Sequence, residues 1–317
     1  PREALEVIPR LPAVYDEPFA DSSQIPTYLV AALARQHVKV SLSGDAGDEL
    51  FGGYNRYLWT NRLWRRLRSV PLWLRAGLAR AVHALPPSTW SRLASPVLRL
   101  VPAGLRYANA GDRLHRLADI LPIPDPQRLY LEFVSHWRRP ESIVEEAREP
   151  LTTVTDSSQW LKSGTIEQQM MYLDLVTYLP DDVLVKVDRA AMAVSLETRA
   201  PLLDHRIVEF AWRIPLAMKI RDGRGKWLLR QLLYRYVPPE LVERPKTGFG
   251  VPLDSWLRGP LREWAQALLD PQRLRREGLF QPEPILRRWR EHLSGRRNWA
   301  HHLWDVLMFQ SWLEHAR

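Results

Sequence analysis

One short segment constrains the fold more than any other. Val38-Lys39-Val40-Ser41-Leu42 is the one clear buried-strand candidate among 317 residues, and it runs without a linker into Ser43-Gly44-Asp45. Helical periodicity from about Pro26 to Arg35 precedes it, and a helix starting near Ala46 would follow. That order of helix, strand, turn and helix belongs to α/β folds with parallel strands, where ligands sit beyond the carboxyl ends of the strands. The remainder reads as helical, so the expected class is α/β, predominantly helical.

Composition narrows the function. A hydrophobic content of 45% suffices to bury a core. No apolar run approaches the length of about eighteen residues that a membrane span needs. The opening Pro-Arg-Glu-Ala has neither an initiator Met nor a charged-then-apolar leader, so the first residue reads as a cut end. The expected location is cytoplasmic. With no cysteine, disulfides, thiolate metal sites and a thiol nucleophile are excluded within these residues. A formal charge of +9 suits nucleic acid, acidic lipid or a polyphosphate substrate, and its sign does not choose among them.

Along the chain there is no internal repeat, and the 26 prolines punctuate short helical stretches. From Tyr57 to Leu85 the pattern is helical and basic, with Leu74, Leu78, Val82 and Leu85 on one stripe; packing on its own domain is preferred to a membrane or nucleic-acid face. Residues 88–156 read as short helices and loops. Thr165 and Gln168 form a capping-box pattern at the head of a helix that Pro180 should stop, and Asp181 should cap the next one, with Leu184, Val187 and Ala191 inward. Further helices are expected over about 225–237 and from Trp299, the latter with Leu303, Leu307 and Leu313 inward. The 14 tryptophans follow helical spacing and read as core and helix contacts rather than a base-stacking platform. His301 and His302, neighbours on one helix, point to different faces and read as structural.

Chemistry concentrates in Ser43-Gly44-Asp45-Ala46-Gly47-Asp48-Glu49-Leu50-Phe51-Gly52-Gly53-Tyr54. Ser43 and Gly44 occupy the ligand position beyond the strand, and the amides of a following helix would favour phosphate or carboxylate. Asp45, Asp48 and Glu49 supply the carboxylates that a Mg²⁺-nucleotide site uses, with Asp48 the choice for the metal. The bland alternative is that Asp45 caps the helix and Gly52-Gly53 is only a turn. In a second segment, Arg244 to Pro252, Lys246 stands among glycines and could neutralise a leaving pyrophosphate. A third, Asp188 to Asp204, alternates charges with small residues and reads as buried ion pairs holding the site wall. There is no Gly-x-Ser-x-Gly elbow and no Walker-type phosphate loop.

Taken in order, these segments resemble the synthetase domain of glutamine-hydrolysing asparagine synthetases of the B type over nearly the whole chain. The matches are Tyr15 to Ser23, Ser43 to Tyr54, Leu179-Pro180-Asp181-Asp182 leading to Asp188-Arg189, Glu197-x-Arg199-x-Pro201, Pro245-Lys246-x-Gly248-Phe249 and Leu303-Trp304-x-x-Leu307-Met308. The resemblance implies that 1–317 is the C-terminal part of an adenine-nucleotide hydrolase-like (PP-loop ATPase) domain. It implies adenylation of the aspartate side chain by ATP with Mg²⁺, then displacement of AMP by ammonia from a glutaminase domain. Ser43 and Gly44 then resemble the ATP-contacting pair, Asp45 the acid needed at the aspartyl-adenylate, Asp48 a Mg²⁺ ligand and Lys246 the transition-state lysine. No nucleic acid or membrane is expected as partner, and a homodimer is compatible with the resemblance.

The family's Ser-Gly-Gly-x-Asp-Ser pyrophosphate loop and its N-terminal cysteine nucleophile do not occur here; both normally lie upstream of the point where this sequence starts, so truncation accounts for them and the fragment is expected to be inactive alone. Asp45 stands where the better-known branch has Glu, which shortens the reach by roughly 1.5 Å. Relatives that make β-lactams, close lasso peptides or amidate sugars and other acids share the adenylation site, which leaves a different acid as an alternative. A basic binding module for nucleic acid or membrane, its acidic turn purely structural, is the remaining alternative.

Overall fold

The computed structural model describes residues 2–99, 110–243 and 250–317. Its chain divides into two compact units: Pro1–Asn61 with Pro150–Pro252 and Met308–Arg317, and Arg62–Glu149 with Leu253–Leu307. Among the described residues the secondary structure is mostly helical around one two-stranded parallel sheet, which agrees with the α/β class at this coarse level.

In the first unit the sheet pairs β1 (Val40–Leu42) with β2 (Glu197–Arg199) in the register Val40↔Glu197, Ser41↔Thr198 and Leu42↔Arg199. The helix Gln24–Arg35 leads into β1 and packs through Ala31 on Ala191 and Leu196, the two alanines letting the helix Val185–Met192 come close. A second core gathers Leu50, Phe51, Leu179, Ala211 and Ile214 beneath the turn that follows β1. The expected buried strand is shorter and less covered than its sequence suggests. Val40 is 41% and Leu42 73% exposed, and among the described residues β1 has one neighbouring strand.

The capping box forms: Thr165 Oγ1 accepts from the Gln168 amide, and Gln168 Oε1 accepts from the Thr165 amide at 2.9 Å. Pro180 does not stop the helix. Helix Ile166–Leu173 widens into a π-helical stretch, Asp174–Leu184, which carries Pro180 and continues directly into Val185–Met192. A wider turn moves the preceding carbonyl away from the pyrrolidine ring and tolerates its missing N–H. Asp181 is therefore internal and caps nothing, while of the expected inward residues Ala191 is buried and Leu184 and Val187 are half-buried.

In the second unit the basic stretch breaks at Pro71, and the helix Leu72–His83 buries Arg75 and Ala79 rather than the leucine stripe; Leu74, Leu78 and Leu85 are exposed. Arg75 wins the inward position because its guanidinium satisfies the carbonyls of Val70, Leu121 and Ile123 at 2.9–3.1 Å, closing loop ends that would otherwise be unpaired. No helix among the described residues is long and apolar enough to cross a membrane.

Candidate active site

The parallel ladder extends one residue past β1: the Ser43 amide donates to the Arg199 carbonyl at 2.8 Å, which fixes Ser43 at the carboxyl edge of the sheet. Its hydroxyl donates to Asp45 Oδ2 at 2.8 Å. A Cβ added at Gly44 would meet nothing within 4 Å, so the backbone there borders open space. Ala46 then takes a left-handed conformation (φ 70°), unusual for a residue with a side chain, and turns the chain into the helix Gly47–Phe51. No side chain caps that helix, so the reading of Asp45 as a mere cap gives way to its pairing with Ser43. Five residues are little more than one turn, so the helix dipole contributes less here than the sequence led one to expect.

Asp48 meets a lysine that sequence reading passed over. Lys226 Nζ lies 3.0 Å from Asp48 Oδ2, with both side chains partly exposed. Glycines make this possible. A Cβ on Gly225 would collide with the Gly52 carbonyl, and one on Gly53 would collide with Asp48 Oδ1 and Lys226 Cε. Segment 225–226 therefore lies directly on the turn, where the Lys226 amide donates to the Phe51 carbonyl at 2.8 Å. The available signal was Asp222-Gly223-Arg224-Gly225-Lys226, two basic residues alternating with two glycines just before the helix Trp227–Leu233. Lys246 lies outside the described residues.

The third carboxylate of the turn is structural. Glu49 is 1% exposed and accepts from the Tyr54 hydroxyl at 2.7 Å. Burial raises its pKa, and the charges of Asp48 and Asp174 add to that against the lowering effect of the Tyr54 bond. Asp174 is held by Arg56 at 2.8 Å, whose guanidinium stands over the rings of Tyr54 and Tyr178 at 4.1 and 5.0 Å. A second buried cluster places the Lys186 ammonium between Asp21 and Asp182.

The expected buried ion pairs of Asp188 to Asp204 are not there. Asp188 and Arg189 are exposed, and Glu197–Arg199 and Asp204–Arg206 are surface pairs along a strand and a turn. The buried pairs are made instead by Lys186, two residues before that segment, with Asp21 and Asp182.

Among the described residues, no group of three or more His, Cys, Asp or Glu side chains is arranged to hold a metal ion by itself. Asp48, Asp45 and Ser43 do offer oxygen donors of the kind Mg²⁺ takes, one or two carboxylates completed by phosphate oxygens and water. The turn thus combines hard oxygen donors, an open backbone and a cation within 3.0 Å of a carboxylate.

Comparison with known proteins gives a consistent result. The family model for asparagine synthase matches residues 1–314. Asparagine synthetase (glutamine-hydrolyzing) 1 of Bacillus subtilis is 28% identical over 98% of this chain and 46% of its own length. A Mycobacterium tuberculosis protein is 33% identical over 98% of this chain and 44% of its own. Amidase chry2 of Gibberella zeae is 24% identical over 74% of this chain and 35% of its own. The chain spans under half the length of these curated relatives.

Proposed function

We propose, because the chain belongs to the asparagine synthase family, that it carries part of an ATP-dependent adenylation site that activates the side-chain carboxylate of aspartate for amidation. The observation that carries this reading is the convergence of the Ser43–Asp45 hydrogen bond and the Asp48–Lys226 pair on one turn at the carboxyl end of β1. Phosphate chemistry needs that combination of close backbone, carboxylate and cation.

The reaction has two steps. A carboxylate oxygen of aspartate attacks the α-phosphorus of ATP and pyrophosphate leaves. Ammonia then attacks the acyl carbon, loses a proton and expels AMP, giving asparagine. Ser43 and Gly44 contact the nucleotide in this reading, and Asp45, held by Ser43, accepts the proton of the attacking ammonia. Lys226 neutralises charge on the departing pyrophosphate, a role that Lys246 shares in this reading. Asp48 would hold Mg²⁺, which when bound supplies positive charge to the phosphate oxygens.

The fold in this reading is the C-terminal part of a PP-loop ATPase domain. The pyrophosphate loop and the glutaminase that releases ammonia belong to the rest of a longer protein. The exposed Leu42 and Leu33 (73% and 60%) support that arrangement, as a seam that further strands and helices of the longer protein would cover.

A second reading keeps the chemistry and changes the acid, which the relatives named as amidases support. The test is AMP and pyrophosphate release by the whole gene product with ATP, Mg²⁺ and ammonium. Aspartate-dependent AMP is expected. Release of ADP in place of AMP would overturn the adenylation reading, and AMP release that responds to another acid alone would transfer it to the second.

A further inference from the structure

The unit Arg62–Glu149 with Leu253–Leu307 contains a cavity of about 640 Å³ that uses none of the residues of the acidic turn. That volume lies in the range of sites for small ligands. Five arginines line it against two carboxylates, Asp119 and Glu132. Both acids are already engaged. Arg138 pairs with Glu132 and lies 3.8 Å from Asp119, which also meets Arg297 at 3.3 Å and His83 at 3.2 Å. Arg116, Arg139 and Arg288 pair with no carboxylate among the described residues.

Arg288 is the informative one. Its guanidinium stacks on Trp137 at 4.4 Å and Trp299 at 4.9 Å, while Arg297 stacks on Trp299 at 4.2 Å. Among the described residues its one hydrogen bond runs from Nη1 to the Pro284 carbonyl at 3.2 Å, and its Nε is buried with no partner there. Half-burying a cation normally calls for a counter-charge. Stacking on indole orients a guanidinium but leaves its charge in place. Burial and the neighbouring Arg287 and Arg297 lower the Arg288 pKa, and the Glu291 carboxylate, which does not pair with it, opposes them only in part.

The alternatives fit less well. Metal binding is disfavoured because His136 Nδ1 already faces the Asp305 carboxylate at 3.0 Å and no metal-holding group occurs among the described residues. Base stacking on the tryptophans is disfavoured because arginines occupy the indole faces. What the cavity offers is guanidinium edges and rim arginines, the donors that match phosphate oxygens.

We infer that this cavity is a second ligand site, taking a small phosphorylated anion through Arg288, Arg297 and the rim arginines Arg116 and Arg139. The test uses the whole gene product labelled with 5-fluorotryptophan, the Trp137 and Trp299 resonances being assigned with Trp137→Phe and Trp299→Phe. Titration with inorganic pyrophosphate should shift both resonances saturably. Arg288→Met should weaken the apparent affinity tenfold or more. Should Arg288→Met fail to fold, the double variant Arg116→Gln/Arg139→Gln, at exposed positions, should give the same tenfold loss.

ATP and ADP form a second arm. Equal affinity to pyrophosphate means that the site reads phosphates alone, and tighter binding means that a nucleoside is seated as well. The inference is overturned if the resonances stay put up to about 10 mM pyrophosphate, too weak for a specific site. Equal shifts from sodium chloride at matched ionic strength, or from aspartate, overturn it too, as does unchanged affinity in the double variant. None of these readouts depends on amidation, so the adenylation reading stands or falls separately.

Discussion

The acidic turn and the arginine cavity treat charge in opposite ways. Around and behind the turn, cations are matched to carboxylates: Lys226 to Asp48, Arg56 to Asp174, Lys186 to Asp21 and Asp182. In the cavity of the second unit, Arg288 lies on two indoles with no carboxylate partner among the described residues. Matched charges hold a geometry. An unmatched cation held rigid by stacking contributes little to the fold and is available to an anion.

The largest effect expected from that contrast is on stability. Lys186 is 10% exposed at its side chain, and Lys186→Met would leave Asp21 and Asp182 facing each other without a cation. Breaking such a pair costs about 3–5 kcal/mol, read as a fall in the free energy of urea unfolding at pH 7. Arg288→Met, which removes a charge that has no partner, should change it by no more than about 1 kcal/mol. Equal losses at the two positions would erase the distinction between the regions.

Activity should divide in the same way. Lys226→Met in the whole gene product should lower aspartate-dependent AMP formation by roughly 10²–10³-fold, the usual consequence of losing one electrostatic stabiliser. Arg116→Gln/Arg139→Gln should leave it within about twofold, since nothing in the proposed adenylation site involves them. A large loss of AMP formation in the double variant would tie the cavity to the chemistry.

Acidification separates the regions by sign. In the second unit His292 is fully buried, and burial together with Arg258 lowers its pKa to about 4. Between about 4 and 6.5 the unfolded chain therefore binds a proton that the folded chain does not. The stability present at pH 7 is lost as pH falls through that window, about 2 kcal/mol by pH 5 for this one group. His292→Gln should flatten the decline by that amount.

In the first unit burial, and then Asp21, raise the Asp182 pKa to about 6. There the folded form holds the extra proton between the ordinary carboxylate range and 6, so the contribution grows as pH falls through 6 and disappears as pH rises. Asp182→Asn should remove this gain and steepen the loss on acidification. The same slope in both variants would mean that neither group governs the pH response.

What could be read from the sequence depended on whether a feature was contiguous. The turn Ser43 to Tyr54 was legible because strand, glycines and carboxylates follow one another, and its place at the end of β1 was expected from that order. β2 was not, since Glu-Thr-Arg carries no apolar pattern and becomes a strand only by pairing with β1. Lys226 was missed because its partner is 178 positions away and only the glycine contacts bring it in. The cavity was least visible. The reading of His301 and His302 as structural rests on the divergence of helix neighbours, yet both line it, along with residues from 115–119, from 132–142 and Arg288.

Pro180 misled for the opposite reason, since a strong local rule yielded to a π-helical turn that the rest of the helix could accommodate. That contrast gives the smallest prediction. The Thr165 capping box is wholly local, and it heads the continuous helical run that passes Pro180 and carries Lys186. Thr165→Ala should cost about 1 kcal/mol, and Thr165→Asp should retain most of it, because either oxygen accepts from the amides at the first turn. If the cap acts only on its own turn, its cost should add to that of Lys186→Met within about 0.5 kcal/mol, as distant sites do. A double variant that loses markedly less than the sum would instead mean that the wide turn transmits strain from the cap to the ion cluster, making the run one mechanical element.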